Sequence, residues 1–389
     1  MSEWKRVKLG NCIKEINEKT TKNNQYEVLS VTKDGIFSQE EFFKKQIASE
    51  NNIGYKIIRK NNLVFSTMNL WMGSLDVLTN YEIGIVSPAY KIFEFNKKLM
   101  LPEYGDYYMK SYYMLEQYKS CSEQGASVVR RNLDLKALLN VEINIPPIEE
   151  QEKIVEILKN IDSIIEKYRN VLEEKSNFIK SQFIEMFENK EFEEKTLDEI
   201  SIISGEYGSN VSAMEYNEKL PRYVRITDIT ENGKLNKNSL ASPKNEINID
   251  KYLLQYGDIL FARTGATVGK TYLYEESDGN CIYAGYCIRF RLNTKIVNPE
   301  YIFRYTQTRQ YLKWVDIVKR GGAQPNINSK QFGSITIPIP PMELQNKFAE
   351  IVKQVDKQKL LLEQQKQNYE NLKRGLMQKL LTGKVKVNV

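Results

Sequence analysis

The side chains that most often do chemistry are thinly supplied in this chain. Histidine is absent from all 389 residues, which removes the commonest general base, the Ser-His and Cys-His nucleophile pairs and most zinc sites. Four cysteines (Cys12, Cys121, Cys281 and Cys287) do not make a disulfide framework in so long a chain and fit a reducing cytoplasm. Cys281 and Cys287 read as buried strand thiols, since no partner ligands stand near them. The stretch GATVGKT (Gly265–Thr271) approaches a phosphate-cradling loop, but three residues separate Gly265 from Gly269 where that loop needs four. A glycine-containing hairpin turn is the better account of it. No [Asn/Asp]-Pro-Pro-[Tyr/Phe] tetrapeptide offers the amide-and-aromatic clamp for an adenine, and no clean carboxylate pair with a nearby lysine marks a nuclease. A cryptic carboxylate site stays open, but the residues favour a binding protein with no cofactor and no metal of its own.

What the chain has instead is loops carrying Arg, Lys, Asn, Gln and Thr beside aromatics. These side chains read nucleic acid: Arg suits guanine, Asn or Gln suits adenine, and hydroxyls and amines suit phosphate. FARTGATVGK sets Arg263, Thr264 and Lys270 around a turn, and VKRGGAQPNINSK sets Lys319, Arg320, Gln324 and Asn326 on a glycine-rich loop. Two earlier stretches occupy matching places: STMNLWMGS, with Thr67, Asn69 and Trp71, and GASVVRRNLDLK, with Arg130, Arg131 and Asn132. At each single residue a solvated surface role competes with base contact. The net charge of +6 is weak support for a nucleic-acid partner.

The elements that must carry these loops are written twice. Val141–Asp162 slides onto Ile335–Asp356 with 11 identities in 22 positions and no gap, including Pro146 with Pro340, Pro147 with Pro341 and Gln151 with Gln345. LVFSTMNLWMGS lines up with ILFARTGATVGK, pairing Phe65 with Phe261 and Gly73 with Gly269. Trp4 and Leu9 correspond to Phe192 and Leu197. The chain is therefore a tandem duplication, with globular parts at 1–147 and 190–341 and helical regions at 148–189 and 342–389. Short β-branched and aromatic runs such as YEVLSVT, IGIVSPAYKIFEF and YCIRFRL read as strands. The tyrosine-rich segments opened by Pro102 and Pro299 read as helices. The fold class is mixed α/β (α+β).

After each Pro-Pro the period changes to an unbroken 4,3 spacing. One seam runs Ile154, Leu158, Ile161, Ile165, Tyr168, Leu172, Lys175, Ile179, Gln182, Met186; the other runs Phe348, Val352, Val355, Lys359, Leu362, Lys366, Tyr369, Lys373, Leu376, Leu380. A seam sustained at this spacing is the coiled-coil pattern. Residues 148–189 hold 6 basic and 10 acidic groups, a net −4, and 342–389 hold 10 and 5, a net +5. Helices of opposite charge suit each other, so the two are expected to pair as an antiparallel coiled coil, with the globular parts related by an approximate two-fold axis. Gly383 is a plausible stop for the second helix. No apolar run of about 18 residues predicts a membrane span, and MSEWKRVKLG lacks the apolar segment of an export signal.

The chain resembles the specificity subunits of type I restriction–modification systems. The likeness rests on GDILFARTGATVGK, IGIVSPAYKIF, IPIPPMELQNKFAEIV and LKRGLMQKLLTGKVKV, and it covers essentially the whole sequence. It implies two target-recognition domains alternating with two helical regions, and no catalytic site. It also implies a bipartite double-stranded DNA target, two docked methyltransferase (modification) subunits, and restriction (nuclease and translocase) subunits joining that core. S-adenosylmethionine, ATP and magnesium would belong to those partners. By resemblance the helical regions are docking surfaces, which puts Glu149, Gln151, Lys153, Glu343, Gln345 and Lys347 near a partner. Two rivals stand beside this reading: a coiled-coil scaffold whose globular ends recognise proteins, and the specificity part of a fused methyltransferase–nuclease.

Overall fold

The computed structural model describes residues 4–32, 35–39, 51–124, 131–188, 190–244, 248–319 and 325–387. The chain divides into two compact units, Met1–Val171 with Leu362–Val389, and Leu172–Leu361. Each unit holds one globular part and a stretch of both long helices.

The two globular parts repeat one topology. In the first, an antiparallel four-stranded sheet runs in the order Ile13–Ile16, Tyr90–Phe95, Leu63–Ser66, Leu75–Val77. In the second the order is Ser201–Tyr207, Cys287–Leu292, Asp258–Ala262, Thr271–Leu273. Leu63 faces Phe93 across one sheet and Ile259 faces Phe290 across the other. On the central strands, Phe65 stacks on Phe93 at 5.2 Å and Phe261 meets Phe290 edge-on at 5.4 Å. A long-range pair closes each part: Lys5–Lys8 with Glu142–Ile145, and Glu193–Thr196 with Thr336–Ile339. The sequence duplication is thus a duplication of sheet order and register. Cys281 and Cys287 open buried strands, and burial pushes the Cys281 thiol up to about 12, so both are inert packing residues.

Each tyrosine-rich segment forms two helices, where the sequence reads as one: Pro102–Met109 and Tyr112–Ser120, then Pro299–Tyr305 and Arg309–Val318. A hydroxyl makes the break. Ser111 accepts from Met114 N and Thr308 from Tyr311 N, so each starts a fresh helix as an N-cap. The matched glycines Gly73 and Gly269 both sit at positive φ, +84° and +85°, after a single 3-10 turn. A Cβ at 269 would also stand 2.6 Å from Val315 Cγ1, so glycine is required there twice over.

The long helices are Ile148–Phe187 and Met342–Leu380. Within the first unit they run antiparallel: Lys373 Nζ meets Asp162 Oδ1 at 2.6 Å, and the rings of Tyr168 and Tyr369 lie 5.7 Å apart. Within the second unit Lys175 Nζ donates to Gln358 Oε1 (2.8 Å) and Lys359 Nζ to Ser176 Oγ (2.9 Å). Phe183 and Phe187 close on Phe348 at 5.5 and 5.3 Å. All seam positions of both helices are buried or half-buried. The lysines that interrupt the seam are held: Lys175, Lys359 and Lys373 each find a polar partner on the facing helix, and Lys366 pairs with Glu370 on its own helix.

The repeated glutamine corrects one expectation. Gln151 and Gln345 do not face a partner, because both are fully buried. Gln151 Nε2 donates to Leu99 O (2.7 Å) and Pro146 O (2.9 Å), while its Oε1 accepts from Leu101 N at 2.9 Å. Gln345 donates to Pro340 O (2.7 Å) and accepts from Asn298 N (2.8 Å). One amide thus satisfies backbone donors and acceptors around the start of the long helix and before the first tyrosine-rich helix. A primary amide carries both functions, an NH2 that donates and an oxygen that accepts. Replacing either residue with isosteric Glu turns a donor into an acceptor facing carbonyl oxygens. Gln151→Glu and Gln345→Glu should each lower unfolding stability by about 1–3 kcal/mol in a denaturant titration; a change near zero would show that the amide is not needed.

Candidate nucleic-acid interface

In the second unit the two loops singled out by composition are stitched together. Thr264 pairs with Asn326 as an isolated antiparallel bridge. Gly265 N donates to Pro325 O (3.3 Å), and Ile327 N donates to Arg263 O (2.9 Å). The side chains reinforce the seam. Arg263 Nε donates to Asn326 Oδ1 at 3.2 Å, and Thr264 Oγ1 donates to Pro325 O at 3.4 Å. The Arg263 guanidinium lies over the ring of Tyr207, 4.7 Å from its centroid. The site therefore gathers Arg263, Thr264 and Asn326 with a tyrosine that composition did not single out. Tyr286, 63% exposed, also belongs here through its carbonyl, which accepts from Arg263 N (3.0 Å). A tyrosine set between glycines in GEYGSN is the signal that could have pointed to Tyr207.

Tyr207 is electrostatically marked. Burial raises its hydroxyl pKa, but hydrogen bonding from the Ser329 side chain and backbone N, with the Arg263 charge, outweighs that and leaves it below the ordinary tyrosine value. Each of the two lysines expected here is paired with its own acid. Lys270 Nζ meets Glu231 Oε1 at 2.6 Å, and Lys319 Nζ, just past the helix Arg309–Val318, meets Asp316 Oδ1 at 2.5 Å. Arg320 and Gln324 lie outside the described residues, as does Arg130.

The first unit solves the same problem with different residues. Arg131 N donates to Met68 O at 3.3 Å, joining the second loop to the first. The Arg131 guanidinium lies 4.4 Å over the Trp71 ring. Asn69 opens the 3-10 turn Leu70–Met72, its backbone closed by bonds to Ser66 O and from Met72 N, and Thr67 sits half-buried beside it. Asn132 is exposed on the short strand Arg131–Leu133. In each unit one arginine is held face-on by one aromatic ring where the two loops meet. Of the residues expected to dock a partner, Glu149, Lys153, Glu343 and Lys347 are exposed at the long-helix starts. Among the described residues no group of three or more acidic or cysteine side chains could hold a metal ion, and no helix is long and apolar enough to cross a membrane.

The model of the type I restriction modification DNA specificity domain matches the chain twice, over residues 1–174 and 189–370. The chain belongs to the type I restriction–modification specificity subunits. A specificity subunit from Methanocaldococcus jannaschii, of the type I restriction enzyme MjaVIII, is 25% identical over 415 residues, spanning 99% of this chain and 93% of that one. The StySPI specificity subunit of Salmonella potsdam is 26% identical over 193 residues, 47% of this chain and 41% of its own. A solved structure from a study of complex assembly and conformational transition of the type I restriction–modification system shares the fold, with a TM-score of 0.53 at 16% identity over 98% of both chains. The two matches of the family model bear out the internal repeat, and the expectations of DNA target recognition and of a non-catalytic subunit stand with the family.

For this specificity subunit the Lys270–Glu231 pair makes a direct test of where phosphate lies. Glu231 is 85% exposed while Lys270 is largely covered, so Glu231→Gln frees one ammonium without disturbing a core. If Lys270 faces the DNA backbone, the variant binds more tightly, and the slope of log K against log salt steepens by about 0.9. An unchanged slope in a fluorescence-anisotropy salt series would put Lys270 away from the duplex.

Proposed function

We propose that this subunit reads a bipartite, asymmetric DNA sequence, with one half-site taken by each globular part. The observation that carries the reading is the pairing of one scaffold with two unlike readers. The sheet order and register repeat, while the loop junction is built on Arg263, Asn326 and Tyr207 in one unit and on Arg131 and Trp71 in the other. Equal scaffolds with unlike side chains suit unlike half-sites, which a symmetric dimer of one reader could not serve. In this reading 1–147 and 190–341 are the target-recognition domains, and 148–189 and 342–389 are the regions that dock partners.

The residues proposed to meet DNA are Thr67, Asn69, Trp71, Arg131, Asn132, Arg263, Thr264, Lys270, Lys319 and Asn326, together with Arg130, Arg320 and Gln324. Phosphate contacts would set the orientation and a few base contacts the sequence. Two methyltransferase subunits would dock through the duplicated helix starts, with Glu149, Lys153, Glu343 and Lys347 on the exposed face. Restriction subunits would join that assembly, and S-adenosylmethionine, ATP and magnesium would be held by the partners. A subunit that reads chromosomal and invading DNA would work in the cytoplasm.

A swap experiment tests the division of labour. Exchanging residues 1–147 for the corresponding part of another specificity subunit should change one half of the methylated sequence and leave the other as it was. Arg263→Ala should relax base choice at one position of the second half-site by about 1–3 kcal/mol, read from methylation of a degenerate DNA library. Equal weakening on every sequence would make Arg263 a phosphate contact. Binding that ignores salt would favour the protein-recognising scaffold instead.

A further inference from the structure

We propose that Tyr207 is a positioning residue that sets which base edge Arg263 can read, and that the edge is the paired-acceptor edge of guanine. The inference rests on the reading of Arg263 as a base contact. A guanidinium has five N–H donors in a rigid plane. In Arg263 the Nε donor is taken by Asn326 Oδ1, and one face is covered by the Tyr207 ring. Among the described residues neither terminal Nη atom has a hydrogen-bond partner. Four donors are left, and two of them lie parallel at the free end of a plane whose tilt is fixed. Guanine N7 and O6 are the pair of adjacent acceptors in the major groove that such a fork fits.

The strand that carries Tyr207 is shaped to aim it. Ser201–Tyr207 is an edge strand, and its ladder with Cys287–Leu292 slips between Ser201 and Ile203 and again between Ile203 and Glu206. A bulge at a sheet edge turns the side chains that follow it. Gly205 takes φ +63° within the slip, and a Cβ there would stand 2.7 Å from Ser329 Cβ. On the other side of Tyr207, a Cβ at Gly208 would stand 2.4 Å from Ala284 O. The far end of the ring is pinned as well, because the hydroxyl accepts from Ser329 N at 3.1 Å. Yet Tyr207 is 38% exposed and belongs to none of the apolar clusters of its unit. A residue fixed by so many constraints and left outside the core is placed for its ring face, which Arg263 occupies.

The first unit shows that the ring is not a fixed part of the scaffold. Its edge strand Ile13–Ile16 is followed by Asn17, and the ring over Arg131 comes instead from Trp71 in the turn. Grafting the Arg263 and Asn326 loops alone would therefore not move the second reader; residues 201–208 must travel with them.

The test uses the subunit assembled with its methyltransferase partners and measures methylation rates on DNAs carrying each base pair at every position of both half-sites. Tyr207→Leu removes the ring; Tyr207→Gln removes it but keeps an acceptor for Ser329 N, in case the first variant does not fold. Either should reduce the guanine preference at the one position that Arg263→Ala abolishes, by between roughly twofold and thirtyfold. Tyr207→Phe, which keeps the ring, should retain it. Preference in the first half-site should be unchanged throughout and serves as the control for folding and assembly. If Arg263→Ala abolishes a guanine preference that both ringless variants keep, the role of Tyr207 is overturned and the reading of Arg263 stands. A uniform loss at both half-sites makes Tyr207 merely structural and also overturns it. If Arg263→Ala changes no position, both ideas fall together.

Discussion

A single buried amide, used twice, connects the helical parts of this molecule to its globular parts. Where a long helix begins, its first amides lack partners inside the helix, and a proline pair upstream offers carbonyls and no donors. The second proline's carbonyl accepts from the first helix amides, while Gln151 and Gln345 turn inward, each bonded to the proline carbonyl five residues back and to backbone just before the first tyrosine-rich helix. About three turns further along, each helix adds a carboxylate to the link. Asp162 accepts from Tyr107 Oη at 2.7 Å, and Asp356 meets Arg304 at 3.2 Å. The helix direction is thus set by polar bonds to its own domain as well as by apolar area. That explains why the most alike stretch in the two copies is a junction and not a surface.

With the junctions fixed, the loops are free to differ. Both units close the same two loops against each other through backbone bonds, so the readers stand on a braced platform. The side chains on that platform follow no common plan: the arginine comes from the first loop in one unit and from the second in the other, and its ring comes from a strand or from a turn. Divergence of specificity then leaves the central strands alone, whose facing residues, Leu63 with Phe93 and Ile259 with Phe290, keep their register.

The helical seams obey a different economy. Lysines at seam positions cost apolar contact, but three are matched to an oxygen on the facing helix, Asp162 for Lys373, Ser176 for Lys359 and Gln358 for Lys175, and Lys366 pairs with Glu370 one turn along its own helix. An unmatched lysine in such a seam would be left partly desolvated and unpaired, so a slipped register is penalised. Polar seam residues act here as register marks more than as sources of stability.

The sequence by itself determined the duplication, the two long helices and their seams, because each is a statement about spacing, and spacing survives any docking of side chains. It also determined that the chain lacks histidine chemistry, and it brought Arg263, Asn326, Arg131 and Trp71 forward by residue type. What it could not decide is which way a polar side chain turns. Gln151 and Gln345 look like surface residues among charged neighbours, and only the proximity of Leu99, Leu101 and Asn298, some fifty residues away along the chain, draws them inside. Lys270 and Lys319 look like free cations until Glu231 and Asp316 are beside them. Tyr207 lies 56 residues from Arg263 and enters the site only because a bulged edge strand turns it there. Periodic burial is local and legible in a string of residues. A polar site is an agreement between distant segments, and the tertiary structure alone makes it.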